Sequence, residues 1–142
     1  MFKYLRTETG DYHPTKILEV FSSVSVTDFD GVPIGSFFTI EEGMVQQFCD
    51  IAHPLYLALN AETKNETTII KCFPVTSNMI FEGSLAPSEN EEMIFEGSLC
   101  TLEFDQNGKG VYLSLTFSSE MALFEVIDTS NIKNRKITVR KI

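Results

Sequence analysis

The sequence predicts an all-β protein, a single small β-barrel or β-sandwich of about eight to nine short, mostly antiparallel strands. Three observations predict it. β-Branched and aromatic runs recur along the 142 residues, Gly, Pro, Asn and Asp punctuate them, and the aromatic set is lopsided, with 12 Phe, 4 Tyr and no Trp. Phe packs well on half-buried pleated surfaces, so its excess favours strands. The chain is 43% hydrophobic and 22% charged, which fits one globular domain with a core large enough to need no staples.

The elements follow in order. Residues 1–16 are polar and mixed, with Gly10 and Pro14 as breakers, and read as an extended N-terminal arm or a first strand; residues 17–142 form the β-domain. Ile17 to Val26 is β-branched and aromatic. Pro33-Ile34-Gly35 punctuates it before Ser36-Phe37-Phe38-Thr39-Ile40, and Glu41-Glu42-Gly43 reads as a turn. Met44 to Ala52 has partial helical spacing through Val45, Phe48 and Ile51 or Ala52, but is short for an independent helix and reads as a short strand or one helical turn. Pro54 to Leu59 is a buried strand, Ala61 to Glu66 a polar loop, and Thr67 to Phe73 a strand that Pro74 ends.

An internal repeat follows. Met79-Ile80-Phe81-Glu82-Gly83-Ser84-Leu85 recurs letter for letter as Met93-Ile94-Phe95-Glu96-Gly97-Ser98-Leu99, across an acidic loop. Two copies are too few for a solenoid, so the expectation is two equivalent strands or hairpin arms, each with its Gly at a bulge or bend. Leu99 to Phe104 and the alternating Val111, Leu113, Leu115, Phe117 face make a hairpin around Asn107-Gly108, whose Gly supplies the positive φ of a tight turn. Leu123 to Ile127 and Lys136 to Ile142 close the domain. In the last strand Ile137, Val139 and Lys141 share one face.

Charge narrows the function. The net charge of −9 disfavours docking on nucleic-acid phosphates or an anionic membrane. No stretch has the apolar length of a membrane span, and no secretory h-region is visible. The cations gather at the two ends. Lys3 and Arg6 lie beside Tyr4 near the start, and Lys133, Arg135, Lys136, Arg140 and Lys141 follow the last acid, Asp128. These eight residues are the candidate partner contacts, because basic ends on an acidic body suit an acidic protein partner or a second copy.

Catalytic and metal-binding chemistry finds little support. Cys49, Cys72 and Cys100 are widely spaced, with no Cys-x-x-Cys pair, and read as reduced, buried small hydrophobes. His13 and His53 each stand beside a proline, far apart in sequence. Asp105-Gln106-Asn107-Gly108-Lys109 resembles part of a calcium loop but places Lys109 where an oxygen ligand belongs. No nucleophile elbow, phosphate loop or dinucleotide fingerprint is present. The expectation is a non-enzymatic protein without a cofactor.

The order of elements from about Gly31 to Ile142 resembles the small β-barrel decoration, or cement, proteins of tailed-phage heads. The resemblance rests on the Gly31-Val32-Pro33-Ile34-Gly35 opening with its strand to Ile40, then Pro54 to Leu59. It continues through the Phe81-Glu82-Gly83 strand, the Leu102 to Gly108 strand and hairpin, and the closing Phe124 to Asp128 and Ile137 to Arg140. The duplicated heptapeptide and the three cysteines depart from that pattern. The resemblance implies a virion structural protein, made in the host cytoplasm, that staples the major capsid protein lattice as a homo-oligomer, with residues 1–16 as the arm on the shell. The alternative is a ligand- or carbohydrate-binding β-domain of a head fibre or attachment protein.

Overall fold

The computed structural model describes residues 2–7, 18–21, 35, 37–42, 44–46, 54–64, 67–104 and 111–142. Within these it is all-β. The strands are β1 (Lys3–Thr7), β2 (Leu18–Phe21), β3 (Phe37–Glu41), β4 (Met44–Gln46), β5 (Leu55–Lys64) and β6 (Thr67–Val75). They continue with β7 (Met79–Ser84), β8 (Leu99–Phe104), β9 (Val111–Leu115), β10 (Phe124–Asp128) and β11 (Lys136–Lys141). Two short 3₁₀ turns, Glu91–Met93 and Ile132–Asn134, complete the described elements.

The strands form two antiparallel sheets, one of six in the order β1-β7-β11-β10-β8-β9 and one of five in the order β2-β6-β5-β3-β4. Of the two expected architectures the sandwich fits. An isolated parallel bridge between Leu85 and Leu113 curls the end of β7 toward β9, but the sheets do not close into a barrel. The described strands number more than the eight or nine expected. Residues 3–7 form an edge strand, and β4 is only three residues long. Such brief elements leave almost no periodicity to read.

Alternation explains the layers. Phe37, Leu55, Leu57, Phe73 and Val75 on the five-stranded sheet join Phe2, Phe81, Leu113, Phe124, Ile137 and Val139 in the main core. The intervening Phe38, Ala58, Ile70 and Cys72, with Val45, form a second apolar cluster. Because side chains alternate along a strand, this second cluster lies on the opposite face of the same sheet, so at its described centre that sheet carries buried side chains on both faces. Four rings pin the centre of the main core, with Phe37 packed edge-on to Phe81 at 5.3 Å and against Phe2 at 4.4 Å and Phe124 at 5.5 Å.

Several expectations change. Pro74 does not end its strand, since it pairs with Tyr56 inside β6. Among the described residues β2 pairs only with Ile69 to Cys72 of β6, so the described neighbour of Pro74 is Tyr56 of β5. The polar stretch from Ala61 is also strand as far as Lys64, because it continues the long β5–β6 hairpin. Residues 44–46 are strand, while the rest of the helix-spaced segment to Ala52 lies outside the described residues. So do residues 8–16, Pro33-Ile34, Cys49, both histidines and the Asn107-Gly108 turn.

The heptapeptide repeat is the largest correction. Its first copy is β7, at the heart of the six-stranded sheet. Its second copy is not an equivalent strand. Met93 ends a 3₁₀ turn, Phe95 to Ser98 forms a turn, and only Leu99 enters β8. Burial changes with the conformation. Met79, Ile80 and Phe81 are all buried in the first copy, whereas in the second only Ile94 of the matching three is buried and Met93 and Phe95 are exposed. The two glycines also differ. Gly83 sits in regular register opposite Ile137, where a Cβ would lie 2.5 Å from the Phe2 ring, so it is needed for close packing. Gly97 has φ +91° and open space around it, so it is needed for the turn.

Candidate interaction surfaces

Register places the basic termini together. β1 and β11 flank β7, so the outward-facing residues form rows across the sheet. One row runs Arg6, Ile80, Arg140, Glu125, Leu99, and another Lys3, Glu82, Thr138, Asp128. Ile80 lies in the outward row yet is buried, and in register it stands between Arg6 and Arg140. Long arginine stems cover apolar surface while their heads stay wet.

The eight candidate contacts have different environments. Lys3 and Arg6 are exposed on β1, Arg6 donating only to the Thr7 carbonyl among the described contacts, and the intervening Leu5 is 42% exposed at a bulge. Tyr4 turns inward, its ring 5.6 Å from both Phe73 and Phe81, and burial raises its phenol pKa. Lys133 is exposed on the 3₁₀ turn before β11. Lys136 lies 4.0 Å from Glu82, and Arg140 is ion-paired with Glu125 and donates to Asn78 Oδ1. Lys141 shares the inward phase of β11, opposite Phe124, and burial lowers its pKa.

Arg135 is engaged inside the chain. It sits in the left-handed region at φ 58°, at the end of the 3₁₀ turn. Its guanidinium donates to the carbonyls of Ala86 and Glu89 and pairs with Glu91 at 3.3 Å, so it clamps the loop between β7 and β8. Glu89 fixes the same loop from the other side, its carboxylate accepting from Ser114 Oγ and the Leu115 N–H. That carboxylate, with burial as the larger cause, pushes the Cys100 thiol up to about 12.

Sequence reading missed a second surface. β9 and β10 both pair antiparallel to β8, so the 116–123 segment between them must cross over. Its ends are pinned to the entry of β8, where the Thr116 N–H donates to the Leu99 carbonyl and the Leu123 N–H to the Cys100 carbonyl. The clamped loop before β8 ends at the same place, the Ser98 N–H donating to the Phe95 carbonyl. On these two loops Phe117 is 94% exposed, Phe95 65%, Met121 58% and Met93 57%. Glu91, Glu92, Glu96 and Glu120 accompany them, and no Lys or Arg occurs in either loop. The signal available in sequence was Phe117, which continues the apolar phase of β9 beyond its last strand residue.

Among the described residues no group of three or more His, Cys, Asp or Glu could hold a metal ion. Among the described residues no helix is long and apolar enough to cross a membrane. No protein-family model, curated protein or solved structure matches the chain.

Proposed function

We propose that the protein is a non-enzymatic auxiliary capsid protein, a decoration protein that binds and stabilises the major capsid protein lattice of a tailed phage. The observation that carries this reading is the basic outer face of the six-stranded sheet. Two terminal segments, far apart in sequence, meet there through β1-β7-β11 and present Lys3, Arg6, Lys136 and Arg140 around Glu82 and Glu125. Lys133 extends the face at the start of β11. On a chain of net charge −9, this face suits an acidic protein surface. A lattice repeats such weak contacts, which gives occupancy by avidity.

The test is co-sedimentation with empty shells of the major capsid protein encoded beside this chain. Binding is expected to weaken as salt rises, and to weaken at fixed salt in a Lys133→Glu/Lys136→Glu variant whose thermal melt is unchanged. Shells that never retain the wild-type chain would overturn the reading.

A further inference from the structure

We propose that the two loops at the entry of β8 form a docking platform for the β1 edge of a second copy of this chain. The platform is built rather than loose. Arg135 and Glu89 hold the 86–98 loop by side-chain hydrogen bonds, and backbone bonds to Leu99 and Cys100 hold both ends of the crossover. Phe95, Phe117, Met93 and Met121 are therefore presented to solvent from a fixed backbone. Rigid exposed aromatics lose little conformational freedom on binding and are the usual energetic anchors of interfaces.

Charge selects the occupant. Glu92, Glu96 and Glu120 adjoin Met93, Phe95 and Met121 in the chain, and no ion pair engages them among the described residues. The complementary pattern exists on the same chain. On β1, Lys3 and Arg6 flank the exposed Leu5, and neither cation is ion-paired among the described residues. β1 also ends the described strand order on the side of the sheet away from β8 and β9, with β7, β11 and β10 between them. The contact is thus between two different patches, cation–apolar–cation on one copy and acid-rimmed aromatics on the next. Such a contact closes as a reciprocal pair or a ring, or else extends into a chain. It does not rest on the capsid reading, since it requires no shell.

Analytical ultracentrifugation of the full chain, up to about 1 mM, tests it, because weak self-association falls in that range. The wild type is expected to shift from monomer to larger species with concentration, less so at high salt. A Phe95→Ser/Phe117→Ser variant is expected to lose affinity about tenfold or more, the scale of removing one interface anchor. These side chains are exposed, so circular dichroism should show an unchanged fold. Lys3→Glu/Arg6→Glu and Glu92→Lys/Glu96→Lys should each abolish self-association, and mixing the two should restore it, because the acidic β1 of one then meets the basic platform of the other. A wild type that stays monomeric throughout, or association indifferent to both charge variants, would overturn the proposal. Shell binding by such a monomer would leave the capsid reading standing, whereas self-association without shell binding would do the reverse.

Discussion

Identical residues have different fates in the two heptapeptide copies, and this separates local sequence from context. Phe81 is fully buried among Phe37, Tyr4 and Phe124, while Phe95, the same letter in the same heptapeptide, faces solvent. Phe81→Ala should cost ~3–5 kcal/mol by denaturant unfolding, as for other buried aromatics, and Phe95→Ala no more than ~0.5 kcal/mol, as for exposed sites. Gly83→Ala forces a Cβ into the Phe2 ring and Leu113, and should cost ~1–3 kcal/mol from overpacking. Gly97→Ala meets no atoms but must hold φ +91°, and should cost ~1–3 kcal/mol from backbone strain. A smaller Phe2 side chain should relieve the first variant and leave the second unchanged.

Cys100 adds a pH signature at the same scale. Burial and the Glu89 charge disfavour its thiolate, so its pKa rises from 9.0 to about 12 on folding. Below pH 9 both folded and unfolded chains keep the proton, and titration of this group does not change stability. Between about 9 and 12 the unfolded chain loses it first, so this group's contribution to stability falls as pH rises. Lys141 acts oppositely, because its lowered pKa means the folded chain releases its proton before the unfolded chain does. The thiol prediction is specific: native protein near pH 8 should leave Cys100 unmodified by iodoacetamide, read by peptide mass spectrometry, and denatured protein should be alkylated there. Rapid native alkylation at Cys100 would contradict its assigned burial.

At the scale of elements, the clamp on the 86–98 loop is the main finding. Arg135 looked in sequence like one more cation of a basic tail. Folding makes it the donor for two carbonyls more than forty residues away in sequence, a relation no local pattern encodes. Removing it leaves those part-buried carbonyls without their donor and should cost about 1–3 kcal/mol. Arg135→Ala should also open the loop to proteolysis between Glu89 and Phe95 under native conditions. Arg135→Gly should behave similarly, because relief of the positive φ does not replace the lost hydrogen bonds. Cleavage rates identical to wild type would show that the loop is held by Glu89 and the backbone alone.

What was legible in sequence follows the same division. Strands with clean alternation, such as Val111–Leu115 and Lys136–Lys141, could be placed closely because burial of one face leaves its period in the residues. The inward phase of Lys141 with Ile137 and Val139 was readable for that reason. The second heptapeptide copy could not be placed, because its letters are those of β7 and only the competition for positions in the sheet decides which copy becomes a strand. The basic ends were visible as composition, but their meeting across β7 depends on strand order. The aromatic platform was hidden because Phe is ordinarily read as core.

The whole molecule combines three features: a sandwich with an apolar cluster on each face of the five-stranded sheet, a basic outer face on the other sheet, and exposed aromatics beside acids on the loops at the entry of β8. In the two proposals the basic face serves a shell and the platform serves a neighbouring copy, with Lys3 and Arg6 of β1 belonging to both contacts. We propose that these surfaces serve a capsid. Quantitative mass spectrometry of purified virions, measuring copies of this chain against the major capsid protein, tests this. A fixed, high ratio that falls when particles are washed in high salt is the expected result. Particles that lack the chain, or carry only a few copies at one site, would contradict it.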